Sequence, residues 1–184
     1  MSTVTTKTTR AAAAAAMGVA LLTITCAPAS AHDSPGIATG QGPAHGFAFE
    51  DGRLTDLQRA RSPLDKARAV VVSMPTEQGS VVVLSLRDVR RAAGRTFGAH
   101  VHAGPCVKRD PLAALGHYAV GTPASATTEV WLDVTISQRG TALAVAPVPF
   151  RVAAGERSVV LHEKPTDPTG AAGARLACLP VTFA

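Results

Sequence analysis

The chain has 184 residues, 46% hydrophobic, 4% aromatic and 17% charged, with 16 Gly and 13 Pro. That is one ordinary domain rich in turn-forming residues, which excludes a multidomain machine and points to short strands. Of the formal charge of +5, Lys7 and Arg10 in an N-terminal leader supply two; the remaining +3, with no basic run and no interleaved aromatics, excludes a nucleic-acid binder.

Residues 1–31 have the pattern of an export signal: the basic Lys7 and Arg10, then the apolar run 11–25, then Ala29-Ser30-Ala31 at the cleavage site. The run is too short and too alanine-rich for a membrane span, and no later segment offers one. Cleavage after Ala31 would leave a secreted or envelope-associated chain beginning at His32. Cys26 follows Thr23-Ile24-Thr25, which lacks the leucine and small residue of a lipoprotein signal, so a lipid anchor there is not expected. With the leader gone, Cys106 and Cys178 remain, an even number in an oxidising compartment, which favours one disulfide between distant parts of the chain.

Residues 32–66 carry Gly, Pro and mixed charge without a sustained period and read as an extension or arm; residues 67–184 read as a β domain. Two β-branched runs, Ala69–Met74 and Ser80–Val89, flank the turn Pro75–Gly79 and predict a hairpin. Thr96–His102 is a third strand, followed by a long connection over 103–127. Strand character returns over Glu129–Ile136, Thr141–Val145, around Pro149–Val152, and over 158–162 and 174–178. Strands at this spacing without amphipathic helices predict an antiparallel sandwich or barrel.

His100 and His102 stand at i and i+2 on the third strand, so both side chains leave one face and can converge on one ion. His117 follows in the long connection, and His162 ends a later strand. Three or four imidazoles with an open position suit copper or zinc far better than magnesium or calcium. Taken alone, an HxH pair is equally what two surface histidines look like.

The surroundings of these histidines add a second line. Gly98-Ala99-His100-Val101-His102-Ala103-Gly104-Pro105-Cys106, Gly116-His117-Tyr118, Arg157–Lys164 and Gly173-Ala174-Arg175-Leu176-Ala177-Cys178 together, in this order, resemble the copper/zinc superoxide dismutase family. The resemblance spans about residues 67–182 and implies a Greek-key β-sandwich or flattened barrel. It implies that His100, His102, His117 and His162 are copper ligands, with His117 where the family bridges copper to zinc. It implies that Cys106 and Cys178 form the intrasubunit disulfide, and that Arg175 is the arginine that attracts and orients the superoxide anion. The family's two further zinc histidines and aspartate are missing, since residues 118–135 contain no histidine and only Glu129 and Asp133 as carboxylates. The closer likeness is therefore to exported bacterial copper-only members, with zinc not expected.

Without zinc, something else must orient His117. Glu129 or Asp167 can serve as such a carboxylate, although taken singly each reads first as a solvated surface charge. The expected function is copper-dependent dismutation of superoxide. The rivals are a non-catalytic copper-binding module on the same scaffold and a structural domain holding no metal. A freed N-terminal amine beside the His32 imidazole is a minor alternative chelate, and His45 reads as loop. Nothing in the sequence marks a subunit interface.

Overall fold

The computed structural model describes residues 46–60 and 62–184, so the expected leader and cleavage site, with Cys26, His32 and His45, lie outside the described residues. Among the described residues the chain is almost wholly strand and loop, with one 3-10 turn at Arg90–Ala92. One sheet joins β1 (Ala48–Arg53), β3 (Arg68–Thr76), β4 (Gly79–Arg87) and β8 (Ala142–Val148) in that order. The second joins β2 (Thr55–Asp56), β10 (Arg175–Phe183), β9 (Gly155–His162) and β6 (Ala99–His102). A small ribbon pairs β5 (Thr96–Phe97) with β7 (Val134–Thr135). All pairings are antiparallel, and the molecule is an all-β sandwich.

The two-residue period of the strands builds the core. On β3 and β4 the inward residues Ala69, Val71, Val82, Leu84 and Leu86 are fully buried, and they meet Ala99, Val101, Val159, Leu161, Ala177 and Val181 of the other sheet in one cluster. Truncating such a side chain, Leu84→Ala for example, removes about 2–5 kcal/mol. Two hydroxyls share this inward face: Ser73 donates to the Gly46 carbonyl at 2.6 Å, whereas the buried Ser80 hydroxyl at the start of β4 has no hydrogen-bond partner.

Residues 48–56, expected within an extension, are strands: β1 pairs along its whole length with β3, and β2 pairs with β10. Among the described residues the sheet-forming chain thus begins at Ala48 rather than at residue 67. Strand formation here rests on main-chain pairing at two sheet edges, which Asp51, Gly52 and Arg53 hide in the side-chain pattern. The stretch Thr96–His102 is broken at Gly98 into β5 and β6, and Glu129–Ile136 forms a strand only at Val134–Thr135, its earlier part touching β6 through the single bridge His100–Trp131. No strand forms at Pro149–Val152, where Pro149 has no N–H to give a ladder.

Strand β9 departs from alternation, with every residue from Ser158 to His162 buried. Its inner face lies in the core, while its outer face is covered by the connection after β6. The Ser158 hydroxyl donates to the Gly104 carbonyl at 2.8 Å, and Leu57, Ala114, Val160 and Cys178 form a second buried cluster that includes Cys106 at its edge. The connection lies so close to itself that a Cβ at Gly104 would stand 2.2 Å from the Ala113 carbonyl oxygen. A covered outer face beside β6 is what the histidines require.

Candidate metal centre

On β6, Ala99 and Val101 point into the core, so His100 and His102 must point to the outer face of the second sheet. Across the ladder they stand opposite Val160 and Ser158 of β9, and two residues beyond Val160 the same face carries His162. His117 arrives from the covering connection, bridging backbone to backbone with His102. One coordinating atom from each of the four rings lies within 4.8 Å of every other, and among the described residues no other group of three or more such side chains converges.

Each ring is held by a partner at the nitrogen away from the cluster. His102 Nδ1 donates to the Leu115 carbonyl at 3.1 Å and His162 Nδ1 to the Gly173 carbonyl at 3.2 Å. His117 Nδ1 donates to Glu129 Oε2 at 2.8 Å, and His100 Nε2 donates to the Thr166 hydroxyl at 2.8 Å. These tautomers, assigned from the hydrogen bonds, leave one lone pair per ring turned inward. His102 Nε2 and His162 Nε2 then face each other at 3.2 Å as two acceptors, and the buried Nδ1 of His100 has no hydrogen-bond partner. Converging lone pairs repel unless a cation lies among them, so the donor set fits a metal ion.

Electrostatics keep the rings in the form that a metal needs. Burial lowers the pKa of His100 to about 2, with the neighbouring His117, His162 and His102 adding to it. Burial, followed by His117, takes His102 to about 3, against the pull of the Leu115 carbonyl. His162 falls to about 4, again mainly by burial, with the Gly173 carbonyl acting the other way. All three are neutral imidazoles at neutral pH.

Glu129 is only 6% exposed, and besides His117 it accepts the Trp131 indole N–H at 2.7 Å on the same oxygen. By sequence alone Glu129 is indistinguishable from a solvated surface charge; in the fold it is the carboxylate that orients His117. Asp167 does not reach a histidine: it accepts from the Thr169 N–H and hydroxyl and from the Ala171 N–H, and the Thr169 bonds hold its carboxyl below the usual range. Thr166, which no sequence signal picked out, receives the His100 proton and is fixed in turn by Asp133, whose carboxylate takes both its N–H and its hydroxyl. The segment 163–174 carrying Thr166 seats against Gly98, where a Cβ would stand 2.6 Å from Ala172 Cβ and 2.8 Å from the Lys164 carbonyl oxygen.

Arg175 lies at the edge of the site through a β-bulge. Cys178 pairs with Val160 and Ala177 with Leu161, but Arg175 pairs with His162, the register slipping at Leu176. In a regular strand positions 175 and 178 face opposite ways; the bulge returns Arg175 to the histidine face. Its guanidinium donates to the Pro111 carbonyl at 2.6 Å and, with His117, Glu129, His162 and Gly170, lines an open depression of about 540 Å³. Burial lowers its pKa, yet a guanidinium stays charged at any working pH.

Cys106 and Cys178 are joined in a disulfide with Cα atoms 5.7 Å apart, tying the connection that carries His117 to β10. Such a bond is compatible with an extracellular location. No helix among the described residues is long and apolar enough to cross a membrane.

The fold and site together define an all-β sandwich with a buried four-histidine centre able to hold a metal ion. No protein-family model matches this chain, and no curated protein matches it either.

Proposed function

We propose that this chain is an exported, copper-dependent superoxide dismutase that works without zinc. The observation that carries the reading is the set of four inward lone pairs beside a rim arginine: a soft-to-borderline nitrogen site with an open approach. Bound there, copper would supply a centre that takes an electron from one superoxide and gives it to the next, yielding oxygen and, with two protons, hydrogen peroxide. His100, His102, His117 and His162 would hold it.

The remaining work belongs to the chain's own side chains. Arg175 offers a fixed positive charge and free N–H donors at the depression, drawing a small anion toward the histidines. Glu129 keeps the His117 proton on Nδ1 and so presents Nε2 inward. That same bond leaves Nδ1 no lone pair for a second metal, which supports a copper-only site; zinc would have to displace a buried carboxylate contact.

The test is superoxide decay by pulse radiolysis on the chain from His32 loaded with copper alone, beside His162→Ala. Fast copper-dependent decay, lost in the variant, is expected. Stoichiometric copper without acceleration over free solution would make the protein a copper-binding module, and failure to retain copper through dialysis would leave a structural domain.

A further inference from the structure

Positive charge on this chain is gathered in one tract rather than scattered. Residues 46–184 include sixteen basic and twelve acidic side chains. Lys66, Arg87, Arg90, Arg91 and Arg139, all exposed, surround an open depression of about 430 Å³ that also holds Asp65 and Asp88. Asp65 is shared with a second depression of about 290 Å³, where the exposed Arg59, Lys108 and Arg109 stand with Asp56. Eight cations against three carboxylates thus line two joined hollows, and the rest of residues 46–184, eight basic and nine acidic, is close to balance.

Tertiary packing builds this tract against the mutual repulsion of its charges. A Cβ at Gly140 (φ 76°) would lie 2.5 Å from Arg90 N and Cγ, so glycine lets the turn before β8 seat on the 3-10 turn. There Arg90 Nε donates to the Arg139 carbonyl at 3.3 Å, joining segments 49 positions apart. The Arg109 N–H donates to the Asp56 carbonyl at 3.0 Å and ties the second hollow to β2. Lys66 and Arg109 hold left-handed backbones, φ 67° and 60°, a conformation that glycine adopts more easily. Among the described residues only Arg87 of the eight forms an ion pair, with Asp51 at 3.4 Å.

We propose that this tract binds a linear anionic polysaccharide. Six of the eight cations are arginines, whose planar fork presents paired N–H donors to the oxygens of a carboxylate, sulfate or phosphate group. Two hollows joined at Asp65 suit a chain of repeated charges over a single small anion. The lining also chooses among polyanions. It has no aromatic ring on which a nucleic-acid base could stack, and its apolar members are Ala60 and Pro63, with nothing to anchor in a bilayer. The tract shares no lining residue with the depression beside the histidines, so a bound polymer leaves the approach to the metal centre open.

The experiment is titration of fluorescently labelled heparin with the disulfide-bonded chain, metal-free and copper-loaded, between about 50 and 200 mM salt. Saturable binding is expected, equal with and without copper, so the outcome is separate from that of the dismutase assay. Each neutralised charge releases about 0.7 counterion, so log K should fall against log salt with a slope of about −3 to −5. Arg91→Gln with Arg139→Gln, and Lys66→Gly with Arg109→Gly, should each weaken binding at least ~10-fold and flatten the slope by about 1.4, with circular dichroism unchanged. Arg151→Gln, exposed and off the tract, should cost less than ~2-fold. No binding to heparin, indifference to both pairs, or an equal loss in Arg151→Gln would overturn the proposal. Displacement of heparin by inorganic phosphate at matched ionic strength would do so too, since the hollows would then take single anions. So would tighter binding to duplex DNA or to phosphatidylglycerol vesicles, lost in the same pairs, since the tract would then serve another partner.

Discussion

Burying three neutral imidazoles together makes the metal-free protein sensitive to mild acid. In the unfolded chain a histidine titrates near 6.5, whereas folded His100, His102 and His162 titrate near 2, 3 and 4. Below pH 6.5 the unfolded state therefore binds more protons than the folded one, and stability falls as pH falls. At pH 5.5 each imidazole contributes a loss of about 1.4 kcal/mol relative to pH 7.5, or about 4 kcal/mol for the three. That is a large share of a typical domain's ~5–15 kcal/mol. The assay is urea unfolding of the metal-free chain at the two pH values, followed by Trp131, the single tryptophan, whose ring lies 6.2 Å from that of His100. His162→Asn should remove about one third of the difference. A change below ~1 kcal/mol would refute the reasoning, because it would mean that the rings reach water and protonate while the sandwich stays folded.

Other outcomes follow from single contacts. Replacing both Cys106 and Cys178 by alanine frees a loop of sequence separation 72 and should cost the unfolded-state constraint of about 4 kcal/mol, read as a fall in the calorimetric midpoint; an unchanged midpoint would mean that the covering connection needs no tether. Glu129→Gln should weaken copper retention or turnover about 10–100-fold in competition with a chelator, through loss of the charge behind His117. Arg175→Ala should slow superoxide decay and flatten its dependence on salt, with Arg175→Lys restoring part of both; equal salt dependence in all three would remove the steering role. Gly98→Ala should destabilise the domain by about 1–3 kcal/mol in urea titrations and loosen copper, because the added Cβ pushes segment 163–174 and Thr166 off His100.

Much of the site was legible before the fold. The period of a strand puts His100 and His102 on one face wherever that strand lies, and beyond the expected leader Cys106 and Cys178 are the one pair of cysteines to join. The hairpin of β3 and β4 followed from two β-branched runs across a short turn, and it stands with its turn at Glu77. These are local properties, decided by residues within a few positions of one another.

What the tertiary structure decided depends on partners distant in sequence. Glu129 is a surface charge or a buried orienting carboxylate according to whether His117 and Trp131 close over it, and no local pattern reports that closure. Thr166 meets His100 across 66 positions, and Arg175 faces His162 only because β10 slips by one residue at Leu176. Strands β1 and β2 exist because β3 and β10 offer open edges to pair with, a main-chain affinity that side-chain composition does not record. Short-range sterics and periodicity fix which way a side chain leaves the backbone; which neighbours it finds there is settled by the packing of the whole sandwich.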